Sequence, residues 1–277
     1  MKKARWILLI TVMVLANSLI GLPQALANET PKRILFYDPD ANHHAIIQIT
    51  KWFNLYLTSG TTGYTFQPVQ TVADFENQLK NNDVSFVIVS SLYLKENQKK
   101  LEPLLVPAKD TDVYYRKVLV AKEGMTAESL NGKHIAAAIS SGNRQAAIKA
   151  LTTQLKNSSA GVTPGMVVPV AKDIDALFAL TFGHVQGALV TPSSIEALKR
   201  VSPGAAAGVK AIYESAPILR APLAAVSSRA NSKDKKLLIA ALKTMTQDEN
   251  GRRVMHMLAF DNWRAYKQAM LKKGGAQ

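Results

Sequence analysis

The chain has 277 residues and no cysteine. That absence excludes disulfides, thiol nucleophiles and cysteine-ligated metals. It also excludes a bacterial lipoprotein, whose anchor is attached through a cysteine just after the leader. Acidic residues are scarce too: 20 Asp and Glu stand against 34 Lys and Arg, for a net charge of +14. Past the amino-terminal segment, no apolar run approaches the roughly 20 residues of a spanning helix. No internal repeat and no low-complexity tract is present. The sequence contains no G-x-S-x-G, no H-E-x-x-H and no P-loop, and no Ser-His-acid arrangement can be placed. We therefore expect no catalytic residues, no enzyme activity and no cofactor. His43 and His44 are adjacent, so on a helix their side chains point apart. With no acid cluster beside them they read as a helix start, not a metal site. His134, His184 and His256 are scattered and read as structural.

What is present begins with a leader. Lys2, Lys3 and Arg5 form a positive head, Trp6 to Leu22 is mostly apolar, and Ala25-Leu26-Ala27 supplies small residues at the cleavage positions. This is the pattern of a secretory signal peptide over 1–27, cut before Asn28. The expected location is the periplasm, with no lipid anchor and a soluble mature chain. The leader carries three cations and no acid, so about +11 remains after it is removed. The charges are dispersed and export removes nucleic acid as a partner. A basic field still helps recruit a small anion. A hydrophobic content of 47% is enough for packed cores.

Strand and helix patterns alternate along the mature chain. Arg33 to Tyr37 reads as a buried strand ended by Asp38-Pro39-Asp40. His44 to Leu57 has helical apolar spacing. Strands are expected at Tyr64–Gln70, Val84–Val89, Leu104–Val106, Val113–Ala121, His134–Ile139, Val167–Val170, Gly187–Val190, Val209–Tyr213 and Leu223–Ser227. Helices are expected at Thr71–Lys80, Arg144–Leu155, Asp173–Phe182, Pro192–Arg200 and Ser232–Gln247, with a last one through Trp263 to about Lys272. Val201–Gly208 reads as a surface loop. Alternation implies parallel sheets. The chain divides into lobe one (28–115 and 220–277) and lobe two (116–219), with a cleft between two α/β lobes where small molecules bind.

Several segments in this order resemble the PhnD-like phosphate/phosphonate-binding periplasmic proteins. They are Trp52-Phe53-Asn54-Leu55-Tyr56-Leu57, Val87-Ile88-Val89-Ser90-Ser91 and Leu130-Asn131-Gly132-Lys133-His134-Ile135-Ala136. Ser140-Ser141-Gly142-Asn143 follows, then Ser215-Ala216-Pro217-Ile218-Leu219-Arg220-Ala221-Pro222. Asp248-Glu249-Asn250-Gly251-Arg252 and the tail with Phe260 and Tyr266 close the series. The resemblance covers nearly the whole mature chain. It implies a class II periplasmic-binding-protein fold that closes on its ligand and often delivers it to an ABC importer. The alternative use of that fold is a sensing or interaction module that reports to a membrane receptor. The implied partners are a small anionic ligand and an ABC permease or membrane sensor; a monomer is expected.

The candidate ligand-binding residues lie on polar turns. Ser140, Ser141, Gly142 and Asn143 open a helix, where free N–H groups and hydroxyls suit a tetrahedral oxyanion such as phosphate, phosphite or a phosphonate. A plain helix cap is the competing reading. Ser90 and Ser91, Tyr37 and Thr191 end strands, where open α/β sheets place ligand groups. Tyr115 precedes the crossing between lobes. Arg144 and Arg220 are either anion partners or surface charges. Family members that bind aminoalkylphosphonates supply acids for the amine. Here the usual acid before the Gly187 strand is replaced within Val185-Gln186-Gly187, and lobe two is expected to carry no acid in the cleft. That fits a ligand without a cationic group.

Overall fold

The computed structural model describes residues 32–41, 45–60, 62–139 and 141–273. The expected leader over 1–27 with its expected cleavage site, the His43-His44 pair and Ser140 lie outside the described residues.

In chain order, β1 (Lys32–Tyr37), α1 (Ile46–Ser59), β2 (Tyr64–Pro68), α2 (Val72–Gln78), β3 (Val84–Val89), α3 (Ser91–Glu96) and β4 (Leu101–Ala108) come first. A short β5 (Tyr114–Tyr115) follows. Then come β6 (Val118–Lys122), β7 (His134–Ala138), α4 (Arg144–Asn157), β8 (Met166–Val170), α5 (Asp173–Thr181), β9 (Gly187–Val190), α6 (Pro192–Val201), α7 (Pro203–Ala207) and β10 (Val209–Glu214). The last group is β11 (Ile218–Leu219), β12 (Leu223–Val226), α8 (Ser232–Lys243), α9 (Glu249–Met257), β13 (Asn262–Ala265) and α10 (Gln268–Lys273).

Two sheets result. The first has six strands in the order β13-β4-β12-β3-β1-β2, the second five in the order β10-β6-β9-β7-β8. Strand side chains alternate between faces, and the first sheet uses both. Ile34 and Phe36 of β1 join Phe53, Phe66, Leu238 and Val254 on one side. Leu35 and Tyr37 join Phe75, Tyr93 and Leu94 on the other. All six residues of β3 are buried, as a strand covered by helices on both faces requires. The second sheet repeats the scheme. Ile135 and Ala137 pack with Leu151 and Leu155 of α4, and Ala136 and Val120 pack with Leu177 and Leu198 of α5 and α6. The chain passes from one sheet to the other through β5 and returns through β11. These two crossings pair antiparallel, Tyr115 opposite Ile218 and Tyr114 opposite Leu219.

The sheets are mixed, not parallel throughout. β1, β2 and β3 run parallel, as do β7, β8 and β9, but β12, β13, β6 and β10 run antiparallel to their neighbours. The expected strand from Val113 to Ala121 is broken at Arg116-Lys117 into β5 and β6, because the chain changes sheet there. Val201–Gly208 is not a loop: Pro203 starts the short α7, a favoured first helical position. Trp263 lies on β13, not on a helix, and is buried against Phe260. Asp248 caps α9, its carboxylate accepting from Gly251 N–H at 2.9 Å.

The Leu130-Asn131-Gly132-Lys133 segment is structural. Leu130 is fully buried, Asn131 Oδ1 accepts from Thr163 N–H at 2.7 Å, and Gly132 takes φ +71°. Across from it, a Cβ on Gly165 would lie 2.3 Å from the Gly132 carbonyl oxygen. The two backbones approach closely because residue 165 has no Cβ, while Gly132 supplies the positive φ of the turn.

Candidate functional site

The polar turns singled out in the sequence sit at the carboxyl ends of the parallel strands of both sheets. Tyr37 and Asp38 end β1, Ser90 and Ser91 follow β3, Ser141 to Asn143 follow β7, and Thr191 follows β9. Helices start directly after three of these ends, so each turn also does capping work. Ser90 Oγ accepts from Tyr93 N–H at 3.2 Å and Asn143 Oδ1 from Ala146 N–H at 3.1 Å. Thr191 makes no side-chain cap, but its hydroxyl lies 2.8 Å from Ser194 Oγ.

Two sets of contacts join the turns of one sheet to those of the other. At the first, Ser141 is buried, accepts from Asn143 N–H at 3.0 Å and donates to Glu96 Oε1 of α3 at 2.6 Å. Beside it, a Cβ on Gly142 would fall 2.5 Å from Glu76 Oε1 of α2. Only glycine lets that carboxylate come so near the backbone. The amino end of the 14-residue α4 thus meets two carboxylates, as the partial positive charge of a helix start favours.

At the second, Lys117 holds the centre. Its side chain is 1% exposed, and its ammonium lies 2.6 Å from Asp40 Oδ1 and 3.1 Å from Asp173 Oδ1. Both contacts are buried ion pairs. Tyr115 donates its hydroxyl to Asp40 Oδ2. Asp173 Oδ2 accepts from Thr191 N–H at 2.6 Å. Asp40 follows β1 of the first sheet, Asp173 starts α5 beside the second, and Lys117 stands at the crossing between β5 and β6. Burial alone would push the Lys117 ammonium down; Asp173 and Asp40 hold it above its ordinary value.

The same crowding raises the acids. Asp38 is pushed up to about 7 by loss of water and then by Asp40. Asp173 is pushed up to about 6 by burial, with Lys117 opposing. Tyr37 is raised to about 12 by burial, Asp38 and Asp40, while Arg144 opposes from the start of α4. Burial also raises the Tyr115 hydroxyl. Arg220, on the return crossing, is half-buried near Asp112 and Tyr115, and its Nε has no hydrogen-bond partner.

The structure brings Tyr37, Tyr115 and Thr191 to the Lys117 cluster and Ser141 and Gly142 to the Glu96 and Glu76 cluster. Ser90 and Asn143 act as caps, and Ser91 is the first residue of α3. The second sheet's side does bring an acid to this junction: Asp173, buried against Lys117, corrects the expectation of none. It escaped notice because an aspartate opening a helix reads as a cap. Lys117, Asp40 and Glu96 were also missed. Asp40 reads as a turn residue beside Pro39, and Lys117 as a solvated charge at the head of a strand. A void of about 10 Å³, room for one water, lies beside Lys117 and is lined by Leu92, Ala137, Ala138 and Leu189 among others. Among the described residues no group of three metal-ligating side chains forms a metal site.

Three solved structures share this two-lobed periplasmic-binding fold. A binding-protein component of an ABC phosphonate transporter from Pseudomonas aeruginosa aligns with a TM-score of 0.69 at 12% identity, over 87% of this chain and 83% of its own. PhnD1 from Prochlorococcus marinus, in complex with methylphosphonate, aligns at 0.68 and 12%, over 87% and 95%. A Xanthomonas citri protein bound to chloride ion aligns at 0.67 and 12%, over 87% and 94%. No curated protein matches the sequence. Residues 35–271 match the family described as "ABC transporter, phosphonate, periplasmic substrate-binding protein", and the chain belongs to that family of periplasmic binding proteins.

Proposed function

We propose that the cleft captures a small phosphorus oxyanion, namely phosphate, phosphite or an alkylphosphonate, and presents it to the permease of an ABC importer without chemical change. The observation that carries this is the turn Ser141–Asn143. It already receives oxyanions, in the form of the Glu96 carboxylate on the Ser141 hydroxyl and the Glu76 carboxylate against Gly142. A phosphonate offers the same kind of oxygen with more charge, and a helix start suits it. Tyr37, Tyr115, Thr191, Ser90 and Ser91 stand at the neighbouring strand ends and complete the wall.

In this reading lobe one is 28–115 with 220–277 and lobe two is 116–219, and they open about the paired crossings β5 and β11 by a hinge motion. The ligand enters the opened cleft and takes the place of the two glutamates. The working form is a monomeric, exported chain freed of residues 1–27.

A thermal-shift screen of residues 28–277 against phosphate, phosphite and methylphosphonate tests the proposal. A ligand that binds only the folded state adds about 2.7 kcal/mol of stability at a hundredfold excess over Kd. One of the three should raise the melting temperature in wild type and fail to do so at equal concentration in Ser141→Ala. No shift with any of them sinks the reading.

A further inference from the structure

The Lys117 cluster has the make-up of a cation-binding site that is already filled. Its walls come from separate elements: Asp40 from the turn after β1, Asp173 from the first residue of α5, and Asp38 close to Asp40. The occupant comes from neither wall, since Lys117 reaches in from the break between β5 and β6. Its side chain is 1% exposed, and those of Asp40 and Asp173 are 8% and 2% exposed. Asp40 Oδ1 is buried, and its one close partner is the Lys117 ammonium at 2.6 Å. The other groups turned toward the cluster are Tyr115 on Asp40, Thr191 N–H on Asp173, and Tyr37, Arg144 and Arg220 nearby. None of the last three ion-pairs with Asp40 or Asp173.

A buried ammonium and its carboxylates are costly to separate but gain little against an apolar filling. Such a cluster at a junction of two sheets is therefore better explained by selectivity than by stability. We infer that Lys117 is a tethered occupant of a cationic subsite formed by Asp40 and Asp173, and that it restricts the cleft to ligands with no ammonium group of their own. The restriction rests on the cleft reading above; the subsite itself does not. Cutting Lys117 back to alanine removes three methylenes and the ammonium. The space left matches propylammonium, a primary alkylammonium that restores the missing atoms without the tether.

The experiment uses melting curves of the mature chain in wild type, Lys117→Ala and Lys117→Ala/Asp173→Asn, with propylammonium chloride against equimolar sodium chloride and tetramethylammonium chloride. Lys117→Ala should gain roughly 5 °C or more from propylammonium at a hundredfold excess over Kd, and nothing from the other two salts. Wild type and the double variant should not respond. If Lys117→Ala does not fold alone, refolding with propylammonium should recover it, and Lys117→Met should fold without the amine and ignore it. An equal response in wild type, or no response and no recovery in Lys117→Ala, overturns the inference.

A second arm compares methylphosphonate with 2-aminoethylphosphonate. Wild type should prefer the first, and Lys117→Ala should shift toward the second by tenfold or more. If neither phosphonate binds while propylammonium still rescues Lys117→Ala, the oxyanion reading fails and the tethered cation stands.

Discussion

Ser141, in the turn after β7 of the second sheet, donates a hydrogen bond from its hydroxyl to Glu96, at the end of the helix that follows β3 in the first sheet, across 2.6 Å. The pair links the two halves and places a carboxylate where the ligand's oxyanion is proposed to sit. Glu96 is then a competitor of the ligand. Glu96→Gln removes its charge while keeping its shape and an acceptor. Oxyanion affinity should rise several-fold, since a charged acceptor makes roughly twice the hydrogen bond of a neutral one. Titration of the variant with methylphosphonate checks this; a weaker affinity would make Glu96 part of the wall and not a rival.

Acidification should stabilise the protein over a defined window. Asp38 and Asp173 are raised to about 7 and about 6 from an ordinary 3.8. The folded form therefore holds these protons more tightly than the unfolded chain. Their contribution is fully present below about pH 4 and is lost as pH rises through 6 and 7. Asp83 works in the opposite sense. The bidentate Arg33 guanidinium, at 2.6 and 2.8 Å, holds its carboxyl below the usual value, so that contribution is lost as pH falls below the ordinary carboxylate range. Melting temperature should rise from pH 8 to about pH 5 and fall again below about pH 4. Asp38→Asn should flatten the first limb and leave the second.

The close approach of Gly165 to Gly132 makes a sharp stability prediction. Gly165→Ala sets a methyl 2.3 Å from a backbone oxygen, which cannot move as a side chain can. A loss of about 1–3 kcal/mol is expected, as for other overpacked positions. Gly204, in α7, has nothing within 4 Å of its Cβ position and no positive φ. Gly204→Ala should be neutral or stabilise by about 0.4–1 kcal/mol through the unfolded chain. Denaturant melts of the two variants decide it.

Phe53 is fully buried and packs against Phe66 in a tilted pair, ring centroids 4.6 Å apart and planes at 33°. Phe53→Ala should cost about 3–5 kcal/mol and lower the melting temperature by roughly 10 °C. A change below about 1 kcal/mol would mean that α1 does not seal the first core.

Most strands were legible in the sequence because buried runs such as Val84–Val89 and Ile34–Tyr37 sit between polar turns. The turns themselves were legible as polar segments at strand ends, but Ser90 and Asn143 also cap helices, so the pattern alone did not separate a ligand contact from a cap. Strand direction was not legible: β12 and β13 run antiparallel because the chain re-enters the first sheet from the second, which no local pattern encodes. The Lys117 cluster was hidden for a related reason. Its partner Asp173 lies 56 residues away, and Arg116-Lys117 looks like an exposed basic pair. Only the break between β5 and β6 turns Arg116 outward and Lys117 in. Glu96 ends a six-residue helix, and only the meeting of two sheets gives it Ser141 to hold.

Isothermal titration of the mature protein with methylphosphonate, in wild type and Ser141→Ala, tests the central claim most directly. The account predicts saturable one-to-one binding in wild type, weakened about tenfold or more in the variant, the loss of roughly 1.4 kcal/mol expected for one hydrogen bond to a charged group. Equal affinity in the two proteins, or no binding in wild type, would contradict an oxyanion site at the Ser141 turn.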